Sequence, residues 1–141
     1  SVNDEIRTAL ENDRTIDIVT TGARSGMPRT TEIWFTRVGP RIIICGTPDA
    51  EGKYGPRARR DWLANLKANP QFMFCLKESI SAQLPAKAVI IADPADRREL
   101  MTAPETKWYR EQGDSIADLI ESSPIVEVFF QTEAHETQGE T

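Results

Sequence analysis

Three short runs rich in β-branched residues follow one another between residues 16 and 46, and only short turns separate them. The runs are IDIVTT (16–21), TTEIWFTR (30–37) and RIIICG (41–46). Glycine and proline mark the two connections, GARSGMPR and VGP, as turns. Parallel neighbours would need a crossover of about a dozen residues or more, usually a helix, and this spacing leaves no room for one. The segment therefore predicts three antiparallel strands in a meander.

The rest of the chain predicts three more strands and only short helices. The strands are expected at 71–77, 80–92 and 123–132. The helices are expected at 2–14, 59–68, 94–103 and 104–121. Gly113 could divide the last helix, and Pro85 marks an edge or a bulge in its strand. About six strands with few helices predict a mainly β, α+β fold, an antiparallel barrel with peripheral helices, and exclude a doubly wound parallel sheet.

Length and composition fit a single domain over residues 1–132. The chain has 141 residues, of which 39% are hydrophobic, which is enough for one modest core. The last nine residues, 133–141, are polar and lack a hydrophobic face, so they predict a disordered tail. No apolar run approaches the roughly 20 residues that span a bilayer, and the N-terminus lacks the order of a secretion signal. These features predict a cytoplasmic protein.

The nucleophilic and metal-binding residues are few and scattered. Cys45 and Cys75 each lie inside an apolar run, where a cysteine usually behaves as a small buried hydrophobe. His135 is the one histidine of the chain, so no set of residues has zinc-ligand spacing, and no metal is expected. The acidic pairs have no setting that would shift a pKa. A cofactor that brings its own chemistry would explain why no catalytic side chain is visible.

The charge of the chain is divided between its middle and its flanks. The net charge is −5, yet residues 22–77 carry 10 basic and 4 acidic side chains. Both flanking segments are acidic. A general nucleic-acid binder would more often be basic throughout, so the pattern favours a local anionic ligand over nucleic acid. The alternative is ordinary solvated surface charge.

The loop between the first two strands carries groups that suit a phosphate. Its glycines allow a close approach of the backbone, and Arg24 and Arg29 can pair with phosphate oxygens. Ser25, Thr30 and Thr31 can donate hydroxyl hydrogen bonds. The alternative is a hairpin turn with solvated arginines, because glycine- and serine-rich motifs often match by chance.

Basic and aromatic residues near the predicted helices are further candidates. Arg57, Arg59 and Arg60 lie just before or within the first turn of a helix, where an anion would be stabilised; the alternative is a solvated patch. Trp62 could stack on a planar cofactor, although a Trp on an apolar helical face is more often core. Trp108 and Tyr109 could form a lid over a pocket.

Three segments resemble a known family. They are T-T-G-x-x-S-G-x-P-R (Thr20 to Arg29), the strand RIIICG with the Gly–Thr loop after it, and W-x-x-N-L-x-A-N-P (Trp62 to Pro70). Together they are similar to the deazaflavin-dependent nitroreductase family, within the flavin-binding split-barrel superfamily that includes pyridoxamine phosphate oxidases. Weaker similarity extends over most of residues 6–131.

The resemblance implies a split β-barrel that binds coenzyme F420, a 5-deazaflavin with a phosphate and an oligoglutamate tail. It implies that the first loop and the following strand bind the phosphate and ring, through Arg24, Ser25, Arg29, Thr30 and Thr31. It places Gly46 and Thr47 near the ring, and Arg60, Asp61, Trp62 and Asn65 near the tail. Trp108 and Tyr109 are the expected substrate-pocket residues.

One departure from the family pattern concerns the cofactor. The family commonly has a basic residue at the position of Ala23, so one tail contact is missing here, and Lys53 could compensate. FMN is therefore the alternative cofactor. The leading hypothesis is an oxidoreductase in which reduced F420 passes a hydride to a quinone, enone or nitro compound. The alternatives are an FMN-dependent oxidoreductase and a non-enzymatic cofactor or lipid carrier. Split barrels often pair, so a homodimer is a further expectation.

Overall fold

A computed structural model of the protein describes residues 2–46, 61–112 and 115–131. Six antiparallel strands close into a barrel in the order β1-β2-β3-β6-β5-β4. The strands are β1 (Thr15–Thr21), β2 (Pro28–Val38), β3 (Arg41–Cys45), β4 (Gln71–Leu76), β5 (Ala82–Ile90) and β6 (Ile125–Phe130). The helices are α1 (Val2–Asn12), α2 (Asp61–Ala68), α3 (Pro94–Thr102), α4 (Lys107–Arg110) and α5 (Ile116–Ser122), with a 3₁₀ turn at Pro104–Thr106. The predicted antiparallel barrel with peripheral helices is confirmed.

The interior of the barrel is filled by alternate residues of its strands. In β1, for example, Ile16 and Ile18 are buried while their neighbours are half-buried, as the two-residue period of a strand requires. The same core includes Ala9 of α1 and Trp62 and Leu66 of α2. Helix α1 precedes the start of β1, and α2 contacts its end, so the two helices close opposite ends of the barrel.

A second core lies outside the barrel, between its wall and helices α3 to α5. Strand β3 is buried on both faces: Ile42 and Ile44 belong to the barrel core, and Ile43 and Cys45 to the second one. This double burial explains the uninterrupted apolar run of β3. The predicted burial of Cys45 is confirmed, and it raises the pKa of the Cys45 thiol to about 12. Cys75 is half-buried.

Two local expectations change in the structure. The predicted bulge at Pro85 is wrong, because β5 pairs with β4 in unbroken register, whereas the predicted edge is found locally, because Pro85 precedes the first residue of β5 that pairs with β6. The ladder with β6 begins at Ala86, so Pro85 donates nothing there, while its carbonyl accepts from the Gln131 N–H at 3.0 Å. The predicted helix over 104–121 is divided into a 3₁₀ turn, α4 and α5.

Other expectations fall outside what the structure describes. The predicted loop over 47–58 and the tail over 133–141 lie outside the described ranges. Within those ranges, no helix is both long and apolar enough to cross a bilayer.

Candidate functional site

The loop that joins β1 to β2 is held by short hydrogen bonds across its own base. The Gly22 N–H donates to the Met27 carbonyl at 2.8 Å, and the Gly26 N–H donates to the Gly22 carbonyl at 3.0 Å. Gly26 has a φ of 70°, which favours glycine. Residues 22–29 are called the basic loop below.

The spacing of Gly22 and Ser25 has a direct steric reason. A Cβ on Gly22 would lie 2.4 Å from Ser25 Oγ and 3.3 Å from the Met27 carbonyl oxygen. Ser25 Oγ also accepts a hydrogen bond from the Met27 N–H at 3.1 Å. The serine side chain thus folds over the glycine, and the motif G-x-x-S specifies the shape of the basic loop.

The two arginines of the basic loop carry uncompensated charge. Arg24 and Arg29 are exposed, and neither guanidinium has an ion pair or hydrogen bond among the residues that the structure describes. By contrast, Arg37 pairs with Glu11, and Arg41 pairs with Asp96 and Glu127. Unpaired guanidiniums beside a tight glycine turn form a ready site for an anion.

The three polar residues 29–31 of β2 do not all lie on the same face of the strand. Arg29 lies opposite Thr20, Thr30 opposite Val19, and Thr31 opposite Ile18. Because successive strand residues face opposite sides, Arg29 and Thr31 share a face with buried Thr20 and Ile18. Thr30 is exposed on the other face. The structure therefore brings Arg29 and Thr31 together but not Thr30.

Helix α2 contacts the basic loop through Asn65. This side chain is buried, its Oδ1 accepts from the Ala23 N–H at 2.9 Å, and its Nδ2 donates to Thr20 Oγ1 at 3.1 Å. One turn earlier, Trp62 is 8% exposed and belongs to the barrel core. The core interpretation of Trp62 therefore agrees with its position, and the polar atoms of Asn65 point at protein partners.

Gly46 ends β3 in a crowded position that sequence patterns did not indicate. Its N–H donates to the Pro124 carbonyl at 3.0 Å, and its carbonyl accepts from Ser123 Oγ at 2.5 Å and from the Tyr109 hydroxyl. The two hydroxyls also lie 2.7 Å apart. Ser123 and Tyr109 are buried, so their hydroxyls fix the direction of this turn. No local pattern in the sequence links residues 46, 109 and 123.

The rings of Trp108 and Tyr109 pack edge-on against each other, 6.0 Å between centres, but their polar atoms have different partners. The Trp108 ring packs edge-on against Trp34 at 5.7 Å, and its Nε1 donates to Thr36 Oγ1 at 3.3 Å. The Arg14 guanidinium lies 4.6 Å from the ring centre. A cavity of about 230 Å³ lies here, between the end of α1 and residues 105–108. Trp108 borders this cavity, whereas Tyr109 holds Gly46.

Several predicted site residues fall outside the described ranges. These are Thr47, Arg57, Arg59 and Arg60, with Lys53. Asp61 begins α2, and its side chain is also outside the description. Their roles stay predictions.

The described part of the site fits an anionic group such as a phosphate. It offers two unpaired guanidiniums, the hydroxyls of Ser25 and Thr31, and a tight turn whose shape is set by Gly22 and Gly26. It offers no nucleophile, since Cys45 is buried and its pKa is raised. The arrangement can bind and orient a ligand.

Comparison with known proteins identifies a family and several structures with the same fold. The model of a family described as F420H(2)-dependent quinone reductase matches residues 2–118. A conserved hypothetical protein from Mycobacterium tuberculosis is similar in structure, with TM-score 0.66 and 17% identity, over 91% of this chain and 79% of that one. A structure described as an F420 reductase has TM-score 0.61 and 19% identity, over 89% and 92%. One described as a domain-swapped dimer has TM-score 0.53 and 18% identity, over 91% and 96%. These structural likenesses concern the fold.

Proposed function

This chain belongs to the F420H(2)-dependent quinone reductase family, and on that premise we propose that it reduces an electron-poor organic acceptor, namely a quinone, an enone or a nitro compound. As a member it is an F420-dependent reductase, and its cofactor is F420. When bound, reduced F420 supplies the hydride from C5 of its ring. The protein's own residues bind and orient the cofactor and the acceptor.

The observation that carries the binding proposal is the unpaired charge of the basic loop. Arg24 and Arg29 hold the phosphate of the cofactor, with hydroxyl hydrogen bonds from Ser25 and Thr31. Gly46 lies close to the ring. On the evidence of family resemblance, Thr47, Arg60 and Asp61 are further cofactor contacts, and Arg60 faces the acidic tail. Thr30, on the other face of β2, and Trp62, in the barrel core, are not included.

FMN is the second candidate cofactor, and Ala23 is the residue that favours it. Its methyl side chain offers no charge where the family commonly has a basic residue, so the acidic tail of F420 has one favourable charge interaction fewer here. FMN carries a phosphate and no such tail, and the basic loop would suit it equally well.

A fluorescence titration of the purified protein with F420 and with FMN tests the cofactor. We expect F420 to bind, and we expect Arg29→Ala to weaken its binding by about 1.5–3 kcal/mol, the value of a lost charge-assisted hydrogen bond. The matched control is Arg98→Ala, which removes an exposed arginine of α3 away from the basic loop. Micromolar FMN binding without F420 binding would overturn the assignment of F420 as the cofactor. An unchanged F420 affinity in Arg29→Ala would show that Arg29 does not contact the phosphate.

The acceptor is tested by following the oxidation of F420H2 with three probes, menadione, cyclohexenone and a nitroimidazole. We expect turnover with at least one of these electron-poor compounds. Substitution of Trp108, which borders the 230 Å³ cavity, tests whether the acceptor lies there. If Trp108→Ala leaves the KM of every accepted probe unchanged, this cavity does not hold the acceptor.

We also propose that the protein is cytoplasmic and forms a homodimer. The outer face of β5 and β6 exposes Val89 and Phe129, at 43% and 49%. Exposed large apolar side chains on adjacent strands are typical of an interface. The domain-swapped dimer among the similar structures supports pairing of this fold.

A further inference from the structure

We infer that Asn65 is a positioning residue: it holds the basic loop in the shape that presents Arg24 and Arg29 to the cofactor phosphate, without contacting the cofactor itself. This inference rests on the proposed function and names the residue on which the phosphate site depends. It also replaces the expectation that Asn65 is a direct ligand.

The first argument is that the polar atoms of Asn65 are already used. Its side-chain carbonyl accepts from the Ala23 N–H at 2.9 Å, and its amide donates to Thr20 Oγ1 at 3.1 Å. The residue is only 6% exposed. Each polar atom of this amide already binds a protein group, and its low exposure leaves little of its remaining hydrogen-bonding capacity open to a ligand.

The second argument is the place of Ala23 in the basic loop. The other hydrogen bonds of the turn join Gly22 to Met27 and to Gly26, and Met27 to Ser25. The peptide N–H of Ala23, which immediately precedes Arg24, is held by Asn65 alone among the residues that the structure describes. Because Ala23 is exposed, loss of that bond would let its N–H turn to water. The segment of the basic loop that contains Arg24 would then no longer be held in one conformation.

The third argument is that the same helix also contacts the other side of the site. A Cβ on Gly46 would lie 3.1 Å from Cζ2 of Trp62, so Gly46 packs directly against the α2 side chain one turn before Asn65. Helix α2 therefore sets the distance between the basic loop and Gly46. Asn65 contacts the basic loop by hydrogen bonds, and Trp62 contacts Gly46 by packing.

The test compares two variants. Asn65→Leu removes both hydrogen bonds of Asn65, whereas Thr20→Val removes the bond between Asn65 and Thr20 and keeps the bond between Asn65 and Ala23. Two ligands are titrated: F420, and the phosphate-free deazaflavin riboside that carries the same ring. We expect Asn65→Leu to raise the Kd for F420 about tenfold, as loss of one hydrogen bond on the loop would, and to leave the Kd for the riboside unchanged. Thr20→Val should have a smaller effect.

A second readout does not depend on the cofactor. Amide hydrogen exchange at Ala23 should be faster in Asn65→Leu than in the wild type and should be nearly unchanged in Thr20→Val. A double substitution with Arg24→Ala adds a further check: if Asn65 acts through Arg24, the two losses of F420 affinity will not add. Val128→Ala, in the barrel core, controls for general destabilisation and should keep F420 affinity.

The outcomes separate the inference from the proposed function. If the wild type fails to bind F420, the proposed function is overturned, while exchange at Ala23 still reports on the hydrogen bond. If the wild type binds F420 and Asn65→Leu binds it equally well, the inference is overturned. Equal losses for F420 and the riboside would also overturn it, because they would place Asn65 at the ring. Asn65→Ser, which is too short to reach Ala23, replaces Asn65→Leu if the larger side chain prevents folding.

Discussion

Gly46 shows how a single residue without a side chain can matter to both folding and binding. A Cβ at this position would lie 2.7 Å from Cγ of Pro124 and 3.1 Å from Cζ2 of Trp62, inside normal contact distance. We expect Gly46→Ala to lower the free energy of unfolding by about 1–3 kcal/mol through overpacking, measured by urea denaturation. It should also weaken F420 binding. Gly39→Ala is the matched control: Gly39 has a φ of 59° at the opposite end of the barrel, so stability alone should fall. Equal F420 affinity in Gly46→Ala would contradict a place near the ring.

Single residues also mark the limit of what the sequence could predict about the site. The motif T-T-G-x-x-S-G predicted a loop whose arginines can pair with a phosphate, and its glycine and serine contacts all lie within six residues. The contacts that hold this loop and Gly46 in place are distant in sequence: Ala23 to Asn65 spans 42 positions, and Ser123 to Gly46 spans 77. Local spacing carries no signal for such pairs, because only the closed barrel brings them together.

At the scale of elements, the Glu78 carboxylate, just after β4, supports the start of β1, with which β4 is paired. Glu78 accepts hydrogen bonds from the N–H groups of Arg14 at 2.9 Å and Thr15 at 2.7 Å. These two donors lower the pKa of the Glu78 carboxyl. A lowered folded-state pKa contributes stability above the ordinary Glu value of about 4.3, and this contribution is lost as the pH falls through the folded value.

We therefore expect Glu78→Gln to lower the melting temperature at pH 7, with a gap to the wild type that narrows as the pH falls below about 4.3. Thermal denaturation by circular dichroism from pH 7 to pH 3 measures this. Glu121→Gln, at an exposed position in α5, should show no such gap. A difference in melting temperature that stays constant from pH 7 to pH 3 would show that the substitution acts through packing and not through the charge of Glu78.

Elements with a strong local pattern were predicted correctly, and those that depend on their neighbours were not. Strand β3 was recognisable from its apolar run, although the sequence could not say that both faces are buried, by two different cores. The helix expected over 104–121 is instead interrupted, since Ser115 begins a new helix by accepting from the Asp118 N–H with its side chain. Pro85 suggested an edge, and it lies just before the β6 ladder begins, although barrel closure gives β5 as a whole two neighbours.

At the scale of the whole molecule, the exposed apolar side chains of Val89 in β5 and Phe129 in β6, which lie beside Lys87 and Glu127, predict a homodimer. We expect light scattering to give the mass of two chains for the wild type and of one chain for Phe129→Lys, because a second lysine directly opposite Lys87 disfavours burial of this surface. Ile116→Lys changes another exposed apolar residue, on α5, and should leave the dimer intact. A wild type that is monomeric at micromolar concentration would contradict this arrangement.

The two helices that close the ends of the barrel have a consequence for how this protein can diversify. Because α1 and α2 pack against opposite ends of the barrel and side chains fill its interior, the proposed contacts to the cofactor phosphate lie at the rim, in the turn between β1 and β2. Substitutions at exposed rim positions such as Arg24 or Ala23 change no packing inside. New ligand preferences can therefore arise there without compensating changes in the core, which uncouples the evolution of binding from that of stability.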